Sequence, residues 1–232
     1  MVPEAICQRE NAGNHMNEFP QTELNQVRRI AKRGKYDKTS IYQILDEGFL
    51  CHLAFTVDEQ PFVIPTLYAR VGDVIYVHGS HISRMLKTLA EGARLCLTVT
   101  LVDGLVLARS AFHHSMNYRS AVIFGSGTLM EKDEEKLRAL KAISDRLMPR
   151  RWEDCRQPNA KELNVTSVIR IEIEEASPKI REGMPIDDQE DYDLPIWAGI
   201  VPIQKNFGAP VRDEKLSDAI ELPNYLHDLL EN

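Results

Sequence analysis

Long apolar runs are missing from this chain of 232 residues: no uninterrupted stretch approaches the roughly 18 residues that a membrane-crossing helix needs. Cysteine is sparse. The four present, Cys7, Cys51, Cys96 and Cys155, are widely spaced with no CxxC pair, which argues against a zinc knuckle or a disulfide framework and fits a reducing, cytoplasmic setting. Positive charge is in deficit, 28 basic against 35 acidic residues, so the net charge of −7 gives no general attraction to nucleic acid and any anion site must be local. The first residues carry no basic segment followed by an apolar run, so no secretory signal is expected. Neither GxGxxG nor GxxxxGK[ST] occurs, which speaks against Rossmann and P-loop chemistry, and without a GxSxG elbow no Ser-His-Asp hydrolase is supported.

What is present reads as one domain. Residues 1–24 are rich in Asn, Glu and Gln and lack periodicity, as a flexible leader would. The domain is expected over 25–204, followed by a tail over 205–232. After the basic stretch VRRIAKRGKYDK, Asp37 or Thr39 can cap a short helix, TSIYQILDE, which Gly48 would end in the left-handed conformation. Short β-type runs follow: LCHLAFTV, FVIPTLYARV and VIYVH, separated by DEQP and by Gly72-Asp73. HISRMLKTLAEG spaces Ile82, Met85, Leu86 and Leu89 as a helix does, with Gly92 as its stop.

Asp103-Gly104 predicts a hairpin between RLCLTVTLV and LVLARS, and the sheet resumes in RSAVIFGSGTLM. EKDEEKLRALKAISDRLM aligns Leu137, Leu140, Ile143 and Leu147 on one face of a surface helix. VTSVIRIEIEEAS alternates isoleucines with charged residues and reads as one strand; DDQEDYD reads as a solvated linker, and LSDAIELPNYLHDLL as a weak terminal helix. Six or seven antiparallel runs with singly inserted helices give a mainly β, α+β fold: an antiparallel split β-barrel with a few peripheral helices.

Three stretches could carry chemistry. In HGSHISR a strand ends at His78, Gly79 permits a close turn, and a helix begins around Ser80 to Ser83 with outward amides; Ser80 and Arg84, four apart, share a face with Ser83 beside them. Caps of this kind are common, so these residues alone read first as an ordinary serine cap with an exposed arginine, and they also suit a phosphate. HHSMNYRS places His113 and His114 on opposite sides of an extended chain, so joint metal ligation is not expected, while Asn117, Tyr118, Arg119 and Ser120 could grip a polar ligand or satisfy loop carbonyls. Trp197, in PIWAGIVP, suits packing or ligand stacking.

In order along the chain, RRIAKRGKYD, YQILDEGFLCHLAF, QPFVIPTLYAR, IYVHGSHISRML, DGLVLARSAFHHSMNYRSAVIFG, ELNVTSVIRIEIEEASPKIR and PIWAGIVP resemble the pyridoxamine 5'-phosphate oxidase superfamily, in its nitroimidazole-reductase-like branch, over roughly residues 27–204. The resemblance implies a homodimer holding one FMN at each of two sites between protomers. Ile64, Pro65 and Thr66 would lie along the isoalloxazine, and His78, Gly79, Ser80, Ser83 and Arg84 would run from ribityl chain to phosphate. Tyr118, Arg119 and Ser120 would contribute across the interface. Two departures stand out. Met85 occupies the place of a phosphate-binding lysine, leaving Arg119 or Lys87 to compensate. Ile200, Val201, Pro202 and Ile203 replace the charged cluster that grips pyridoxine phosphate, so pyridoxamine phosphate oxidation is not expected. The expected activity is transfer of electrons from a reduced nicotinamide cofactor to a small acceptor such as a nitro compound or quinone, with His114 and Tyr118 as candidate proton donors. The alternatives are a non-catalytic flavin-binding or redox-sensing protein, and a haem protein.

Overall fold

The structure is a computed structural model that describes residues 17–27 and 36–230. Most of the basic stretch after Val27 and the start of the expected leader lie outside the described residues. The described end of that leader is tied to the body: Phe19 is buried in the core, and the Thr22 hydroxyl donates to the Glu175 carboxylate.

Asp37 caps α1 (Lys38–Glu47) by accepting from the Ser40 amide at 2.7 Å. The helix stops at Gly48 in extended rather than left-handed backbone (φ −78°). Glycine serves there by having no side chain, since a Cβ would stand 2.7 Å from Val99 Cγ1 and 3.0 Å from Tyr68 Oη. Strands β1 (Leu50–Val57) and β2 (Gln60–Leu67) form a hairpin whose turn residues, Asp58 and Glu59, both take positive φ. That geometry matches the right-handed strand twist. A second hairpin joins β3 (Ala69–Val71) to β4 (Val74–Ser80), and α2 (Arg84–Ala90) follows, ended by Gly92 at φ +80°.

The expected hairpin at Asp103-Gly104 is absent. Both flanking runs form a single strand, β5 (Arg94–Leu107), whose register against β6 (Ser115–Leu129) shifts between Val102 and Gly104. The Asp-Gly signal marks a bulge instead of a reversal. Gly104 is packed tightly, because a Cβ there would lie 3.0 Å from the Val201 carbonyl oxygen. The later run also differs from expectation: it breaks into β7 (Thr166–Glu172) and β8 (Glu175–Arg181). Helices α3 (Asp133–Leu147), α4 (Arg151–Asp154) and α5 (Ala160–Asn164) precede them, and β9 (Gly199–Pro202) and α6 (Asn224–Leu230) follow. Only the end of the weak terminal helix forms, beginning after Pro223, which lacks the amide a preceding turn would need.

Among the described residues the strands form one nine-stranded sheet in the order β2-β1-β5-β6-β7-β4-β3, with β8 on β6 and β9 on β5, all antiparallel. The sheet is not closed, so the architecture is a split barrel. Leu53, Leu97, Ile123, Ile169 and Ile171 fill its interior, and α1 and α2 cover it with Ile41, Ile44, Leu86 and Leu89. Large-to-small changes at such positions cost about 2–5 kcal/mol. No described helix is long and apolar enough to cross a membrane.

Candidate functional site

The sequence-predicted residues fall into two groups. The first gathers where β2, β4 and the start of α2 come together, a candidate cleft. β2 is an edge strand, which is why it tolerates Pro61 and Pro65, neither of which can donate to a sheet ladder. Ile64, Pro65 and Thr66 face Leu53, His52 and Cys51 of β1 across the ladder. On the opposite wall, His78, Gly79 and Ser80 end β4 against β7, opposite Val168, Ser167 and Thr166. The walls meet where the Arg84 guanidinium lies over the Phe62 ring at 3.8 Å, and Phe62 in turn stacks on Phe55 at 5.6 Å.

The Ser80 hydroxyl accepts the Ile82 amide at 3.5 Å and the Thr66 hydroxyl donates to the Leu67 carbonyl at 3.4 Å, but three other polar groups of this cleft are uncommitted. Arg84 has no carboxylate partner among the described residues. Ser83 is the N-cap of α2, yet its hydroxyl makes no capping bond, contrary to an ordinary serine cap. His78 Nδ1 is buried without a partner, and burial lowers the imidazole's pKa, keeping the ring neutral. Unsatisfied buried nitrogen is rare in a folded chain and marks a place where a partner is missing. Gly79 leaves the backbone bare; an added Cβ would meet only the Leu86 side-chain tip, at 3.1 Å.

In the second group His113, His114, Asn117, Arg119 and Ser120 are already engaged within the chain. β6 begins earlier than its apolar run implied, so Asn117, Tyr118, Arg119 and Ser120 lie within the strand. Buried Asn117 accepts from Arg181, and the Ser120 hydroxyl donates to the Lys179 carbonyl at 3.3 Å. Arg119 is held by two carboxylates: Glu47 receives Nη1 and Nη2, the latter at 2.7 Å, while Asp103 receives Nε at 3.1 Å and Nη2 at 2.7 Å. These bonds raise the guanidinium's pKa, and the bond from Arg119 holds the Glu47 carboxyl below its ordinary value. Arg119 is thus fully employed within its own protomer, which weighs against its supplying the charge missing at Met85. His113 Nε2 lies 3.3 Å from Asp188.

His114 accepts the Ala108 amide at Nδ1, 3.1 Å away, which places its hydrogen on Nε2. The Tyr118 hydroxyl has no protein partner among the described residues. Trp197 is 66% exposed, with its ring so close to Gly199 that a Cβ there would fall 2.9 Å from Cζ2.

Along β6, Tyr118 and the Gly127 pairing that leads to β7 and β4 are nine residues apart, about 30 Å of strand at the usual rise. The α2 end of the cleft therefore lies well along β6 from Tyr118, while Pro65, level with Val122 through His52 and Thr98, lies nearer to it. Among the described residues no cluster of histidine, cysteine and carboxylate side chains could hold a metal ion.

Sequence reasoning missed the segment after β8. Asp187 belongs to the acidic run read as a solvated linker, but its carboxylate is fully buried and accepts the amides of Arg109 at 2.9 Å and Ser110 at 3.2 Å. Nothing in DDQEDYD distinguishes that aspartate from its exposed neighbours.

Known proteins share this chain's family and fold. The family model described as pyridoxamine 5'-phosphate oxidase matches residues 37–180. The flavocytochrome Anf3 from Azotobacter vinelandii superposes with a TM-score of 0.85 at 37% identity, covering 91% of this chain and 98% of that one. The FAD and haem binding protein from Mycobacterium smegmatis gives 0.82 at 34% identity, covering 85% and 97%. A candidate 5-nitroimidazole antibiotic resistance protein from Bacteroides thetaiotaomicron shares the fold at 22% identity, with a TM-score of 0.55 over 63% of this chain and 86% of that one. No curated protein matches the chain.

Proposed function

Because the chain belongs to the pyridoxamine 5'-phosphate oxidase family, we propose that it is a flavin-binding oxidoreductase whose β2–β4–α2 cleft seats the FMN moiety common to FMN and FAD. The observation that carries this reading is the set of unspent groups in the cleft: a guanidinium without a carboxylate, a cap hydroxyl without a cap bond, and a buried imidazole nitrogen without a partner. Arg84 and Ser83 would hold the phosphate, His78 would take a hydrogen bond from or give one to the ribityl chain or ring, and the backbone of Ile64 to Thr66 would flank the isoalloxazine. Bound flavin supplies the capacity to take a hydride from a nicotinamide donor and pass electrons to a small acceptor such as a nitro compound or quinone.

The protein's own part is position and polarity. Tyr118 and the Nε2–H of His114 are free to donate hydrogen bonds to an acceptor. They would meet the flavin of a second copy of the chain, in a site shared between protomers. An exposed apolar face formed by Leu105, Met116, Val201 and Ile203 next to them supports a homodimer with a site between protomers. Trp197 would stack at that site. The described cysteines, Cys51, Cys96 and Cys155, are free thiols, the state in which a reducing cytoplasm would keep them.

Two relatives favour a second reading, in which haem accompanies the flavin: one is a flavocytochrome, and the other binds FAD and haem. His52 would be the residue to hold the haem iron, which would supply one-electron chemistry: it lies exposed on the sheet with no protein partner among the described residues, beside Pro65 on β2 and Thr98 on β5, and exposed Leu50 and Val63 flank it. The test for both readings is the absorbance spectrum of protein purified without added cofactor, with mass spectrometry of whatever is released. A flavin band that R84A loses supports the cleft, and a Soret band lost in H52A but not in R84A supports the second reading. A colourless protein that ignores added FMN, FAD and haemin would overturn both.

A further inference from the structure

Segment 181–192 lies beyond the residues matched by the family model, yet it grips the polar stretch 109–117 at three places. Arg181 donates to Asn117 Oδ1 and to the Gly183 carbonyl at 3.3 Å. Asp188 faces His113 Nε2. Between them sits Asp187, whose carboxylate receives the Arg109 amide and the Ser110 amide on Oδ1 and Arg109 Nη1 on Oδ2 at 3.2 Å. Arg109 also rests 5.0 Å over the Tyr192 ring, and the Tyr192 hydroxyl accepts the Asp187 amide at 3.4 Å. A carboxylate with no exposure is costly to bury unless its lone pairs are met, and here three donors meet them.

We propose that Asp187 is a positioning residue for His114. By fixing the amides of residues 109 and 110, it holds the turn so that the neighbouring amide, Ala108 N–H, points at His114 Nδ1. While that amide occupies Nδ1, the imidazole carries its hydrogen on Nε2 and presents it outward as a donor to the bound acceptor. Ser110 strengthens the same turn, since its hydroxyl accepts the Phe112 amide at 3.3 Å. The use of that donor rests on the proposed role of His114; its tautomer can be read independently.

The experiment is nitrogen-15 NMR of the imidazoles in wild type, D187A, D187N and H114A, the last assigning the resonance. The wild type should show His114 with Nδ1 as acceptor and Nε2 protonated. D187A should lose that preference and show averaged nitrogens, while D187N, whose amide oxygen still accepts backbone N–H groups, should restore most of it. A folded D187A, checked by circular dichroism, whose His114 nitrogens match the wild type would overturn the proposal, as would a wild type with Nδ1 protonated. If D187A fails to fold, D187N and R109A decide: both retaining an unchanged His114 overturns the proposal, and a His114 disturbed in R109A more than in D187N supports it. Turnover separates the two claims: H114A with unchanged turnover removes the donor role of His114 without touching the NMR result.

Discussion

At the β2–β4–α2 cleft Arg84 lies on an aromatic ring with no described carboxylate partner, whereas at the start of β6 Arg119 is clasped by Glu47 and Asp103 together. The same side chain thus does two jobs. An arginine without a counter-charge is free for a ligand anion, and one with two carboxylates is a brace. Sequence alone makes both look like phosphate ligands, since each follows or precedes serines in a polar stretch. The difference is decided by what the sheet places opposite: Glu47 at the end of α1 and Asp103 beside the bulge of β5 lie far from Arg119 in the chain but meet it in the fold.

The comparison can be broken by exchanging the effects of the two arginines. Arg84→Ala should weaken flavin binding about 10–100-fold, the value of charge-assisted hydrogen bonds, with little change in unfolding midpoint; fluorescence titration with FMN and FAD reads it. Arg119→Ala should do the reverse. Two carboxylates left facing each other, both partly in water, should cost about 1–2 kcal/mol, or about 2–8 °C in Tm, with flavin affinity nearly unchanged. If the arginines swap these phenotypes, Arg119 is the phosphate ligand and the cleft has been misread.

Glycines sharpen the contrast next. Gly104→Ala presses a Cβ against the Val201 carbonyl oxygen and should cost about 1–3 kcal/mol, releasing β9 and altering Trp197 fluorescence. Gly79→Ala meets only the flexible Leu86 tip, so its unfolding midpoint should move less than that of Gly104→Ala while flavin affinity falls.

The pH responses should differ as well. Burial would raise the Asp187 carboxyl, but the amides of Ser110 and Arg109 and the Arg109 guanidinium outweigh it and hold it below its ordinary value. The clamp it makes is therefore complete above the ordinary aspartate range, near pH 4, and is lost only as acid drives protonation below that. Slow amide exchange at Arg109 and Ser110 down to that point checks this. His78 behaves oppositely: burial depresses its imidazole, so the folded cleft resists a proton that the unfolded chain accepts. Its contribution is intact above about pH 6.5 and erodes as pH falls from there, a slope that His78→Gln should flatten in denaturant titrations.

Much of this was readable in advance. Alternation and turn residues place the first hairpins, and helical spacing with Gly92 places α2. The resemblance named both polar groups. What escaped has a common cause. Gly48 does not adopt the left-handed turn its position implies, because its lack of a side chain serves Val99 and Tyr68 instead. Asp103-Gly104 makes no reversal, because β9 pairs alongside and carries the strand onward. Asp187 is identical in chemistry to Asp188, and only the arrival of two amides from residues 109 and 110 tells them apart. Each is settled by a partner distant in sequence, which a local pattern cannot contain.

The bulge in β5 has a consequence for how this chain can change over time. One edge of that strand is lent first to β1, at Cys96 to Thr98, and then to β9, at Gly104 to Leu107, with the shift in phase lying between. Because side chains alternate with a period of two, gaining or losing one residue there would turn the far half of the strand over, sending Val106 to solvent and Leu105 inward. The stretch between Val201 and Glu221, exposed throughout, imposes no such counting. Length variation among descendants of this sequence should therefore gather in the tail and avoid the middle of β5, a parity constraint written into a single irregular step of the sheet.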